Sequence, residues 1–139
     1  MIFDREHRTF SAVFVLFGFF TALFWSVFFD NHLVEREQTQ LFLWGTSYLK
    51  QHFLHQGGFS VYWGEFLTQF FRAPWFGAIL IAALLLSLAL SIRNVLRYFS
   101  QNPLLDVLSF FPAIAYGFVF YNSFYPVAGV VALIIALQM

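Results

Sequence analysis

The stretch Thr9 to Phe29, TFSAVFVLFGFFTALFWSVFF, decides the fold. No charged residue interrupts the chain between Arg8 and Asp30, and a helix rising 1.5 Å per residue over this length crosses the ~30 Å hydrocarbon core of a bilayer. A secretory signal starts in the same way, but its apolar region is only ~7–15 residues long and ends in small residues at a cleavage site. Here the end is Trp25, Phe28 and Phe29, so the stretch is expected to be a retained span.

A second stretch of the same kind runs from Pro74 to Ile92, PWFGAILIAALLLSLALSI, bracketed by Arg72 and Arg93. Pro74 sits where the first turn of a helix has no use for an N–H. From Val107 to Met139 there is no charge at all, and Asn122, Ser123 and Pro126 divide the run with residues that favour a turn. The pattern predicts a third span over 104–121, kinked at Pro112, and a fourth beginning at 126 and reaching 137. Because spanning takes ~20 residues, that fourth helix is truncated and residues 1–139 are expected to be the front of a larger protein with further spans. The predicted fold class is all-α: one polytopic transmembrane domain with spans at 9–29, 74–92 and 104–121, a partial span at 126–137, and an outer loop over 30–73.

Composition agrees. The chain is 60% hydrophobic and 10% charged with a mean hydropathy of +0.74, where a soluble domain carries about 25% charged residues. The lipid bilayer is therefore the expected partner. A formal net charge of zero and the lack of any run of like charges argue against a nucleic-acid partner. With no cysteine, disulfides and thiolate metal sites are excluded.

Orientation follows from the basic residues. Arg5, Arg8, Arg93 and Arg97 fall in short segments that would lie inside, while Arg36, Lys50 and Arg72 are spread through the long segment 30–73. The N-terminus is thus expected to be cytoplasmic, with 30–73 in the periplasm if the membrane is a bacterial inner membrane.

The outer segment carries two amphipathic patterns. Phe59, Tyr62, Trp63, Phe66, Leu67 and Phe70 recur at helical spacing, with Ser60, Gly64, Glu65, Thr68, Gln69 and Arg72 on the other side. The aromatic face is expected to be the docked one, on the membrane interface or on neighbouring spans, with Tyr62, Trp63, Phe66 and Phe70 as anchors. Before it, Glu37 to His55 predicts another helix, ended by Gln56, Gly57 and Gly58.

The densest polar cluster, Asp30, Asn31, His32, Glu35, Arg36 and Glu37, lies where the first span ends. Its carboxylates and imidazole are candidates for holding a divalent cation through oxygen ligands, Asp30 above all, or for supplying a general base. The plainer alternative is that Asp30 caps a helix and Glu35 to Glu37 form an acidic first turn. His52 and His55 share a helical face, but lacking a carboxylate at a matching position they are expected to be solvated, as is Glu65. Phosphate loops, nucleophile elbows and zinc motifs are all missing.

In Glu35–Trp44, EREQTQLFLW, and Gln56–Trp75, QGGFSVYWGEFLTQFFRAPW, the chain resembles the N-terminal part of an uncharacterised family of polytopic membrane proteins from Bacteroidota. In layout it also looks like the start of the GT-C membrane glycosyltransferases, with a cytoplasmic N-terminus, an acidic residue at the outer end of the first span and a long first outer loop. That resemblance implies a lipid-linked sugar donor, Asp30 as base or metal ligand, and Glu35 or Glu37 assisting. The competing class is a non-catalytic structural or assembly subunit. Convergence of Asp30, Glu35 and Glu37 on one cavity would separate the two. A transporter is disfavoured, since the spans hold almost no ionisable residue.

Overall fold

The computed structural model describes residues 2–39, 42–100, 102–122 and 126–139, with side chains from Thr9 onward except those of Asp30, His32, Thr39 and Pro103. Among the described residues every regular element is helical. Helix α1 (Ile2–Phe28) is followed after one residue by α2 (Asp30–Thr39), and then come α3 (Thr46–Phe53) and α4 (Gly58–Thr68), the latter extended by a 3-10 turn over Gln69–Arg72. The long α5 (Pro74–Phe99) leads into α6 (Pro103–Leu108), α7 (Phe110–Val119) and α8 (Ala128–Gln138).

Two of these helices, in Thr9–Phe28 and Pro74–Phe99, are long and apolar enough to cross a membrane. The expected third span is not a single helix of that length. Leu104–Val119 is a shorter apolar helix, and it is interrupted at Ser109, between α6 and α7. The cause is Pro112, which has no N–H to offer the carbonyl four residues earlier, that of Leu108, and whose ring crowds it. Ser109 Oγ donates to Asp106 O (2.6 Å) at the break.

Helix α5 is the axis of the fold. Pro74 occupies its first turn, and one side of it, Ala78, Ile81, Leu85 and Leu88, packs with Trp25, Leu33, Phe71, Phe120, Val127 and Val130. A second cluster of Phe10, Ala89, Phe110 and Ala113 closes the other end. There Asp106 is buried and paired with both arginines of the α5 terminus: Arg93 Nε at 3.1 Å and Arg97 Nε at 2.8 Å. The Arg93 guanidinium also lies 3.7 Å from the centre of the Phe10 ring, so α1 and α5 run antiparallel with the start of one beside the end of the other.

Gln138 Nε2 donates to Ser91 Oγ (3.4 Å), which fixes α8 alongside α5. Ser91 lies about 26 Å along α5 from Pro74, whereas α8 climbs back only about 15 Å, so its first residue stops roughly 10 Å short of the α5 start. Helix α4 packs against α8 at that step.

Within the bundle α4 packs through its small residues, not its rings. Gly58, Ser60, Gly64 and Thr68 are its buried residues, and a Cβ on Gly64 would lie 2.5 Å from Ala128 N. Small residues at four-residue spacing let two backbones approach closely, which is how helices associate where water supplies no driving force. Phe59, Trp63 and Phe70 are left exposed, and Phe66 instead packs on Phe42, with ring centres 5.6 Å apart.

The helix expected over Glu37–His55 is also split. Helix α2 ends at Thr39, and α3 starts after Gly45, whose backbone is extended (φ −172°). Phe42 is buried between them and its carbonyl accepts from Gln69 Nε2 (3.2 Å), so a tertiary bond takes the place of a helical one. The stop at Gly57 is as the sequence predicts, with φ +76° in the left-handed region that glycine enters at little cost.

Candidate functional site

The junction behind α1 carries the polar cluster singled out in the sequence. Consecutive residues on a helix point about 100° apart, so Glu35, Arg36 and Glu37 cannot share a direction. Arg36 takes the inward one and is fully buried, while Glu35 is exposed and Glu37 half-buried. The Asp30 backbone opens α2, but its side chain lies outside those described. Among the described residues no three His, Asp or Glu side chains form a group that could hold a metal ion.

Arg36 does the organising. One terminal nitrogen donates to Phe120 O (2.7 Å) and to Asn122 O (2.8 Å), and the guanidinium stands 5.1 Å from the centre of the Phe120 ring. Both carbonyls lie just past α7, where a helix leaves its last acceptors unsatisfied and its dipole favours a cation. Burial pulls the Arg36 pKa down to about 10, with Tyr116 and Glu35 opposing that shift, so the group stays charged at neutral pH.

A second polar assembly joins α3 to α4. The Tyr48 hydroxyl donates to Glu65 Oε2, and His52 Nε2 lies 3.4 Å from that same oxygen. His52 Nδ1 faces Tyr48 O at 3.0 Å. Burial first, then the hydrogen bond and charge of Glu65, push the Tyr48 phenol up to about 12. Glu65 and His52 are thus partners, where the sequence suggested two solvated groups. The sequence did carry a signal. Tyr48 and His52 are four residues apart on α3, and the Gly57–Gly58 turn folds α4 back so that its single carboxylate meets them. His55 remains exposed, and its Nδ1 lies 2.9 Å from Gln51 O. Beside the assembly is a pocket of about 310 Å³, lined by Gln51, His55, Gln56 and Val61 among others.

A second cavity, beside α1, is apolar. A groove of about 790 Å³ runs between α1 and α7, walled by Phe20, Phe24 and Phe28 on one side and Ile114 and Phe118 on the other. It reaches Phe29, the residue before Asp30, while neither Glu35 nor Glu37 lines it. The structure therefore brings Arg36 to the end of α7 and sends the flanking carboxylates elsewhere.

Residues 6–139 match the sequence profile of DUF6057, a family of unknown function. No curated protein matches the chain, and no solved structure does.

Proposed function

The chain belongs to the DUF6057 family, and from that premise we propose that it is an integral membrane protein with a cytoplasmic N-terminus and 30–73 on the outer side, serving as a structural or assembly module. Two helices of spanning length support the membrane assignment. The orientation is supported by the meeting of the α1 start with the α5 end, which collects Arg5, Arg8, Arg93 and Arg97 at one end of the bundle, as the inner face favours. The exposed aromatic face of α4, together with Trp44 and Trp75, suits the headgroup zone.

The observation that carries the structural role is the divergence of Glu35 and Glu37 around Arg36. A catalytic loop would gather its carboxylates; here the buried member of the run is a cation bonded to two carbonyls. Since the chain has no cysteine, single cysteines at Gln38 and Asn94, both exposed, give a clean test of orientation. With an impermeant thiol reagent, position 38 is expected to label from outside and position 94 only after permeabilisation. Labelling of position 94 in intact cells would overturn the orientation.

One observation favours a second function. Phe28 and Phe29 line the groove and Asp30 follows them in the chain, so an apolar chain lying in it would place a polar head near the backbone of residue 30. This suits a transferase acting on a lipid-linked sugar donor, with Asp30 as base or cation ligand and Glu35 or Glu37 assisting. Asp30→Asn keeps the shape and removes the charge. The transferase reading expects loss of sugar transfer, or of the knockout-complementing phenotype, at normal expression; full retention leaves the structural role sufficient.

A further inference from the structure

Both ring nitrogens of His52 face oxygen acceptors, Nδ1 the carbonyl of Tyr48 and Nε2 the carboxylate of Glu65. Nδ1 faces a carbonyl oxygen, which only accepts, so the bond to Tyr48 O (3.0 Å) requires a proton on Nδ1. In the neutral ring Nε2 would then present a lone pair to Glu65 Oε2 at 3.4 Å, and two acceptors would face each other. A proton on that contact turns repulsion into a charge-assisted hydrogen bond. The Tyr48 hydroxyl does not supply it, because it donates to the same oxygen and its raised pKa keeps its own proton in place.

We propose that Tyr48, His52 and Glu65 form a proton-dependent latch that holds α3 against α4, closed when the His52–Glu65 contact carries the proton and released as pH rises and the proton goes to solvent. The groups facing His52 are Tyr48 from its own helix and Glu65 and Tyr62 from α4, with the Tyr62 ring 6.2 Å away. His55 turns to Gln51 O, and Lys50 is exposed. What the latch covers is a nest of rings: Phe42 lies 5.0 Å from Tyr62 and 5.7 Å from Tyr48, centre to centre. Release of the His52 contact leaves Tyr48 as the remaining hydrogen bond from α3 to Glu65 and opens the adjoining pocket on the His52 side, making α3 a flap that responds to the acidity of its compartment.

Spin labels on cysteines at Gln51 and Val61, which line the same pocket from α3 and α4, report the separation directly in the full chain. Dipolar broadening is expected to be strong at pH 5 and to fall at least twofold by pH 8, the interval in which imidazole changes charge. His52→Gln donates to Glu65 at any pH, and Glu65→Gln removes the carboxylate; broadening in both is expected to be independent of pH. Constant broadening in the unsubstituted pair, or a pH response that survives His52→Gln, overturns the latch. The label reads the helix separation in detergent and in bilayers alike, so its failure would leave the proposed orientation untouched.

Discussion

Replacing Arg36 with alanine is expected to destabilise the folded bundle by about 3–5 kcal/mol, since it removes two hydrogen bonds from a charged donor at ~1.5–3 kcal/mol each and strands their acceptors. The acceptors are Phe120 O and Asn122 O, one of them fully buried with its residue. The lost desolvation of the cation returns part of this, so the figure is not the simple sum. Arg36→Lys keeps the charge but loses the planar guanidinium beside the Phe120 ring and its reach to both carbonyls, and is expected to recover less than half of the loss. Glu35→Ala, on the exposed neighbour, should stay within about 0.5 kcal/mol. Unfolding of the detergent-solubilised protein followed by circular dichroism measures all three. A cost below 1 kcal/mol for Arg36→Ala would mean that the α2–α7 contact does not hold the fold.

The second large effect is expected on α4. A side chain at position 64 would meet backbone, Ala128 N at 2.5 Å and Ala128 Cα at 2.7 Å, and backbone cannot swing aside as the end of a side chain can. Gly64→Leu therefore has to lift α4 off α8, at about 3 kcal/mol or more. The same geometry ranks two charge insertions. Thr68 is fully buried and its hydroxyl already bonds Glu65 O (2.7 Å), so Thr68→Asp buries an unpaired carboxylate, whereas Phe66→Asp sits on a half-open face. Thr68→Asp should be the more damaging, with hydrogen exchange in the first turn of α8 rising several-fold more than in Phe66→Asp. The reverse order would mean that α4 is held in the bundle through its aromatic face.

Helix α4 shows how far sequence periodicity reaches. The 3.6-residue repeat of Phe59, Tyr62, Trp63, Phe66 and Phe70 was legible, and so was the helix it implies. Which face packs was not, because in an apolar surround bulk no longer marks the inside; close approach does, and Ser60, Gly64 and Thr68 mark it quietly. The two long apolar helices were plain from the unbroken runs around Phe17 and Leu85. The interruption of the third run was legible as a kink at Pro112, but a proline acts on the carbonyl four residues upstream and the break falls at Ser109. At the candidate site the sequence located the polar junction but ranked its carboxylates above Arg36. A cation whose partners are main-chain oxygens 84 and 86 residues away leaves no spacing to recognise. The Tyr48–His52–Glu65 assembly was half visible, in a four-residue spacing on one helix, and needed the Gly57 turn to be completed.

The step left by the short α8 has a consequence for the surrounding lipid. A bilayer crossed by α1 and α5 would meet two hydrophobic heights, one set by those helices and another, roughly 10 Å lower, set by the first residue of α8. Acyl chains matched to the taller pair are too long for the α8 side, and mismatch costs fractions of a kcal/mol per Å. Over such a difference the lipid beside α8 has to thin or tilt, and the exposed Trp63 and Phe59 of α4 stand where that thinned leaflet would end. In a bilayer crossed by α1 and α5, such a step would draw the surface inward on that flank, where shorter acyl chains would fit.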